Sequence, residues 1–310
     1  MTASRHIVSE SQETRPLSAL GMRLLSMLMI SIMFTAVKWL GEHGVHLMEM
    51  LFFRQLFALP VAVGALMLGP GLTSLRTKRI GAHAGRTAVG SIGMALNFSS
   101  FMLLPLAEAT TIGFTVPIFA TILAIIFLSE RPGFHRWSAI IVGFIGVLVI
   151  IGPNDHSTAP PIGFAIAIAA AIVTSSVSLL LRQLGKTEPT AAIVFYFSAL
   201  SLPPLAIAML FFGQAHEPFI WLIIIGMGVA GGIAQLLMTA SLKWAPVSLV
   251  LPMDYSTLLW STLFGWILWA SWPGSWTWVG AIIIATSSLY IAWREHRHHR
   301  VINNRSVSIS

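Results

Sequence analysis

The residues best placed to do chemistry are an aspartate and an arginine inside apolar runs. Asp254 lies in Val250-Leu251-Pro252-Met253-Asp254-Tyr255-Ser256-Thr257, within the run Pro246 to Ala270. A carboxylate at membrane depth costs ~2.5–3.5 kcal/mol on insertion scales, so it faces a bundle interior or a water-filled cavity. There it is placed to take up and release a proton, or to contact a solute. Pro252 removes a backbone donor close by, which predicts a broken helix with a carbonyl free for a ligand. The structural alternative is a carboxylate hydrogen-bonded to a neighbouring helix. Arg54 sits about seven residues into a second apolar run. Its planar fork of donors suits a carboxylate or phosphate, either on a solute or on Asp254. Its alternative is snorkelling to an interface. Tyr196, Tyr255 and Trp260 supply rings, and Asn97 and Gln235 supply amides, which suits an aromatic or heterocyclic solute with a few polar groups. For each of these, interhelical packing or hydrogen bonding is the other use.

These residues must be held by membrane helices. The 310 residues are 56% hydrophobic and 9% charged, with mean hydropathy +0.82, whereas soluble domains carry ~25% charged residues. Unbroken apolar runs argue for helices over the alternating strands of a barrel. Runs long enough to cross ~30 Å of hydrocarbon fall at roughly 20–40, 47–69, 87–105, 110–129, 137–152, 162–183, 190–212, 219–241, 247–270 and 276–293. The expected fold is therefore an all-α polytopic membrane protein with ten transmembrane helices.

Charge sets the topology. All of the 18 basic residues except Lys38 and Arg54 fall in one set of connectors and tails, including Arg23, Arg76, Lys78, Arg79, Arg86 and the tail Arg294, Arg297, Arg300 and Arg305. The other connectors carry Glu42, Glu108, Asp155 and Glu217. The positive-inside rule then puts both termini in the cytoplasm. Trp269, Trp272, Trp276 and Trp278 gather at the opposite interface as an aromatic belt. Residues 1–16 have no apolar core before a small-residue cleavage pattern, so no cleaved leader is expected. The net charge of +7 is scattered between apolar segments, which excludes a nucleic-acid surface.

Compared at a shift of about 140 residues, the two halves match. Phe52-Phe53-Arg54-Gln55 meets Tyr196-Phe197-Ser198-Ala199, Leu59-Pro60 meets Pro203-Pro204, and Pro132-Gly133 with Trp137 meets Pro273-Gly274 with Trp278. Five helices per half is an odd number, so the second half enters the membrane from the other side. The expected organisation is a tail at 1–16, repeats at 17–153 and 154–293, and a basic tail at 294–310. Inverted repeats of this kind are a secondary-transporter architecture with a site at the repeat interface.

The chain resembles the drug/metabolite transporter superfamily, in its ten-helix branch with two EamA-type domains. The resemblance rests on Leu51-Phe52-Phe53-Arg54, Leu104-Pro105-Leu106-Ala107-Glu108-Ala109-Thr110, Pro117, Leu128-Ser129-Glu130-Arg131, Arg136-Trp137 and Val142-Gly143-Phe144-Ile145-Gly146-Val147. It covers nearly the whole chain. Phe53-Arg54 through Leu59, Ser74-Leu75-Arg76-Thr77 and Leu106 to Phe114 look most like a bacterial subgroup of S-adenosylmethionine and riboflavin uptake proteins. The second half departs from the pattern: Ala270-Ser271 stands where a glutamate closes the corresponding helix, a role Glu130 keeps in the first half.

The resemblance implies a secondary transporter for a small organic metabolite, with uptake of a nucleoside-like or flavin-like compound preferred over export of amino acids or drugs. A solute channel or receptor is the rival class. Protons are one option for the coupling ion, carried by Asp254, and a homo-oligomer is left open. No cysteine, Gly-rich phosphate loop, nucleophile elbow or metal-ligand helix motif occurs, so no enzyme, cofactor or metal is expected. His296, His298 and His299 read as part of a tail whose arginines touch anionic headgroups.

Overall fold

The computed structural model describes residues 16–69, 71–128, 134–151, 160–185, 187–244 and 251–307. Expectations that fall on the tail up to residue 15 and on Glu130, Asp155 and Val250 lie outside the described residues. Within them every long element is helical: α1 Pro16–Glu42, α2 Leu47–Leu68, α3 Ile80–Leu103, α4 Leu106–Gly113, α5 Val116–Leu128, α6 Phe134–Ile151, α7 Pro161–Leu184, α8 Thr190–Phe212, α9 Pro218–Trp244, α10 Ser256–Trp269 and α11 Ser275–Val307. Short 3-10 turns occupy Leu72–Leu75 and Leu251–Tyr255. α4 and α5 continue one another, and the second turn leads into α10, so the described segments form ten rods. Six helical stretches, among them Leu17–Glu42, Leu106–Leu123 and Pro218–Met238, are long and apolar enough to cross a bilayer unaided. The protein is an all-α polytopic membrane protein built from two inverted halves of five rods.

Local chemistry explains where the rods start and break. Pro16, Pro161 and Pro218 are first residues of helices, and Pro105 and Pro189 directly precede α4 and α8. A proline there loses no hydrogen bond, because the first N–H groups of a helix have no intrahelical partner. Pro117 has no N–H for the carbonyl of Gly113 and crowds it, and the fourth rod breaks there, between α4 and α5. The break foreseen at Pro252 is present as the 3-10 turn Leu251–Tyr255. The two discontinuous rods thus hold equivalent places in the two halves.

Some boundaries differ from the hydropathy reading. α3 starts at Ile80, seven residues ahead of the expected 87, and buries Arg86; α1 likewise buries Arg23. A hydropathy window counts such charges as loop, although a long stem and a tertiary partner keep them inside a helix. Glu108, assigned to a connector, is buried in α4.

The two halves interleave. α1 packs on α9 as α7 packs on α3, α2 on α9 as α8 on α3, and the ninth rod on α1 as α5 on α7. Three pairings are their own counterparts under exchange of the halves: α2 with α8, α4 with α10, and α6 with α11. Those self-paired crossings are where a pseudo-two-fold axis runs. The glycines of α9 sort by location. A Cβ on Gly228 would lie 2.7 Å from Phe57 Cβ and 2.9 Å from the Phe53 carbonyl, whereas one on Gly226 would meet nothing within 4 Å. Gly228→Leu is expected to lower the thermal midpoint of the detergent-purified protein by the equivalent of ~1–3 kcal/mol. Gly226→Leu should leave it unchanged.

Candidate functional site

At the α2–α8 crossing the aligned segments of the two halves touch. Gln55 is fully buried and is the hub. Its Oε1 accepts from Arg54 Nη1 at 2.8 Å and from Ser198 Oγ at 3.1 Å, and its Nε2 donates to Ser201 Oγ at 3.4 Å. Ser201 gives its own proton to the Phe197 carbonyl at 2.6 Å, so Ser91 must be the donor in the 3.2 Å Ser91–Ser201 contact from α3. Both repeats therefore meet through one connected polar network, and a buried polar network holds its geometry only when its members are satisfied.

Two guanidiniums flank that network. Arg54 is 7% exposed and Arg86 4%. Their Cζ atoms lie 5.8 Å and 3.8 Å from the centroid of the Phe197 ring. Glycines make the space: a Cβ on Gly90 would lie 3.0 Å from Arg86 Nη1, and one on Gly231 would lie 3.2 Å from Arg54 Nε. Arg54 Nε and Arg86 Nε and Nη1 have no hydrogen-bond partner among the described residues. Nor does either arginine have a carboxylate there: Asp254 goes to Arg23, Glu49 to His216 and Glu188 to His83. Their distances to that common centroid put the two like charges at most ~10 Å apart, where they repel by at least ~2 kcal/mol at an effective dielectric of ~20. Ring faces attract cations but do not cancel their charge.

The second self-paired crossing joins the broken rods. Phe114, at the break between α4 and α5, packs edge-on against Tyr255, at the break before α10, with centroids 4.7 Å apart. The Phe114 carbonyl accepts from Ser288 Oγ at 2.9 Å. Thr110 and Ser261 hydroxyls meet at 2.8 Å one level further along. Trp260 Nε1 is a buried donor without a partner among the described residues.

α1 is fastened to the ninth rod at both ends. At the end carrying Arg76, Lys78 and Arg79, Arg23 grips Asp254 with two hydrogen bonds, Nε to Oδ1 at 2.5 Å and Nη2 to Oδ2 at 2.6 Å, and also reaches the Met238 carbonyl at 3.3 Å. At the other end Trp269 Nε1 donates to the exposed Glu42 at 2.6 Å, and Lys38 lies 3.6 Å from Glu42 and 3.2 Å from the Leu104 carbonyl. Beside this second fastening opens a cavity of about 220 Å³, lined by Lys38, Glu42, Leu103, Pro105, Trp269 and Ser271. It shares Pro105, Leu106, Gly265 and Ser271 with a smaller space of about 30 Å³ that reaches Glu108 and Ser261. Glu108 Oε2, buried there, has no hydrogen-bond partner among the described residues.

The structure thus brings some expected residues together and not others. Arg54 stands at one self-paired crossing and Tyr255 at another. The Arg54–Asp254 pair does not form; Arg23, read as a loop charge, takes the aspartate. Asn97 uses its amide on the Gly93 carbonyl at 2.8 Å and Thr174 at 3.0 Å, which ties α3 to α7. The Tyr196 hydroxyl donates to the Leu75 carbonyl at 2.5 Å, at the connector before α3 and away from the α2–α8 network. Gln235 is half-buried in α9. Gln55, Arg86 and Glu108 were missed as site residues, although Gln55 stood beside Arg54 in the repeat comparison.

The EamA-like transporter family model matches residues 17–152 and 161–293, one stretch for each half. The riboflavin transporter of Vibrio cholerae is 30% identical over 235 residues, 74% of this chain and 78% of that protein. The S-adenosylmethionine uptake transporter of Rickettsia felis is 25% identical over 91% of this chain and 94% of its own. A solved crystal structure with 21% identity superposes with a TM-score of 0.62 over 91% of this chain and 98% of its own, which shows the fold. With both halves matched and a relative at 30% identity, the chain belongs to the EamA-like transporter family, and it is a membrane transporter and not an enzyme.

Proposed function

We propose that this protein is a secondary transporter that takes up a small organic metabolite, of the riboflavin or S-adenosylmethionine type named for its relatives, across a bacterial cytoplasmic membrane. The observation that carries the reading is the Gln55–Arg54–Ser198 network. It lies where the inverted halves cross on the pseudo-two-fold, the place where such transporters bind solute. The repeats 17–153 and 154–293 rock about this crossing, with the Arg76–Arg79 end cytoplasmic by the positive-inside rule. The cavity of about 220 Å³ is smaller than the ~300–1,000 Å³ of an ordinary ligand pocket, so a solute enters only as α1 and the ninth rod part. The two fastenings differ in strength. An exposed contact such as Glu42–Trp269 is worth ~0–1 kcal/mol, whereas the bidentate pair of buried Arg23 with half-buried Asp254 resists separation. The described conformation is then closed at the cytoplasmic end and ajar at the other. A proton delivered to Asp254 would release Arg23, which is how this carboxylate couples protons to opening.

Counterflow tests the reading. Proteoliposomes preloaded with riboflavin or with S-adenosylmethionine should accumulate the same labelled compound transiently and saturably. A channel equilibrates label without overshoot, and that outcome with both compounds would overturn the transporter mechanism.

A further inference from the structure

We propose that Arg54 and Arg86 form an oxyanion site, and that the transported solute presents a carboxylate or phosphate to it. This rests on the central-site reading above and adds the charge class of the solute. Both guanidiniums are more than nine-tenths buried, and three of their nitrogens lack any partner among the described residues. The neighbouring polar groups do not compensate them. Gln55 engages one Arg54 nitrogen through a neutral carbonyl, and Phe197 offers only its ring face. Cations held at membrane depth ordinarily pair with an acid, as Arg23 does with Asp254. Here no acid stands beside them among the described residues, and a guanidinium fork matches the two oxygens of a carboxylate or phosphate. The surroundings of the two arginines also select the anion. Phe197 sits between the arginines and α8, and Gly90 and Gly231 keep the cations folded against it. A solute's planar ring would replace one arginine on that face as its oxyanion draws the guanidinium away.

Binding to the detergent-purified full chain, read by calorimetry and thermal shift, tests this with two matched pairs. Riboflavin 5′-phosphate is compared with riboflavin, and S-adenosylmethionine with its carboxyl methyl ester. The oxyanion-bearing member of at least one pair should bind ~tenfold tighter. Arg86→Gln should abolish that advantage, and Arg86→Lys should keep part of it. Gel filtration of both variants checks that they fold. Equal binding of both members in each pair would overturn the proposal, as would an advantage that survives Arg86→Gln. Inorganic phosphate is the control for source. If it stabilises the protein as much as riboflavin 5′-phosphate does at equal concentration, the oxyanion does not belong to the solute. Counterflow is scored separately. Its absence beside Arg86-dependent binding sinks the transport mechanism, whereas counterflow with no oxyanion preference sinks only the site proposed here.

Discussion

Asp254→Asn is expected to abolish counterflow and, at the same time, to expose the cytoplasmic half of α1. Asparagine keeps the shape of the side chain but removes the charge, leaving Arg23 buried with one neutral acceptor in place of its bidentate partner. Breaking one partner of a fully buried pair costs ~3–5 kcal/mol; with the Asp254 side chain 30% exposed, a loss of ~2–3 kcal/mol is expected. If that energy holds one end of the bundle shut, its loss moves the equilibrium between the two states by roughly two orders of magnitude. A transporter biased that far visits the opposite state too rarely to turn over. The chain has no cysteine, so Ser26→Cys can report the change. Ser26 is fully buried one turn beyond Arg23 and donates to the Ala234 carbonyl at 2.8 Å. Its reaction with a membrane-impermeant maleimide should be slow in the parent and fast with Asp254→Asn. Unchanged reactivity would mean that the Arg23–Asp254 pair is no latch. The exchange Arg23→Asp with Asp254→Arg separates closing from coupling. It should restore slow labelling, and proton-driven accumulation should return only if the acid works from either helix.

The second large effect is expected at Gln55. Gln55→Leu fills a similar volume but leaves Arg54 Nη1 and Ser198 Oγ without the acceptor they share, while Ser201 keeps its bonds to Phe197 and Ser91. Each stranded buried polar group costs ~1–3 kcal/mol, more when charged. With some relaxation the sum should be ~2–4 kcal/mol of lost stability. Because the network spans the two repeats, solute binding should fall with it. A double-mutant cycle with Ser198→Ala isolates the cross-repeat bond, and a coupling of ~1 kcal/mol is the expected result. Strict additivity would show that the α2–α8 contact is packing alone. Gln55→Glu makes the opposite point: it supplies the carboxylate that Arg54 lacks, so it should preserve stability while erasing any preference for an anionic solute.

Some of this was legible without coordinates because it depends on residue type and spacing. Apolar runs of crossing length must be helices in lipid, which set the number of rods. The match of Arg54-Gln55 to Ser198-Ala199 pointed to equivalent positions on the second and seventh rods, and they prove to touch. Pro252 foretold a break, since a missing N–H acts locally; the matching break at Pro117 was not foreseen. Pairing was not legible in the same way. Arg23 and Asp254 lie 231 residues apart, and nothing local tells Arg23 from the basic residues of the connectors. Arg86 looked like one more charge before an apolar run, and Glu108 like a loop acid, because hydropathy registers a charge without registering what surrounds it.

The sequence by itself therefore determined the class, the ten rods, the inverted repeat and the helix break at Pro252, all consequences of local chemistry and of lipid as solvent. Only the tertiary structure decided which ionisable groups are matched. It gave Asp254 to Arg23 and spent Asn97 and Tyr196 on holding the rods together. It also left Arg54 and Arg86 at the crossing of the halves without an acid among the described residues. The physical reason is that a buried charge is defined by its neighbours in space, and in an interleaved bundle those neighbours come from the other half of the chain.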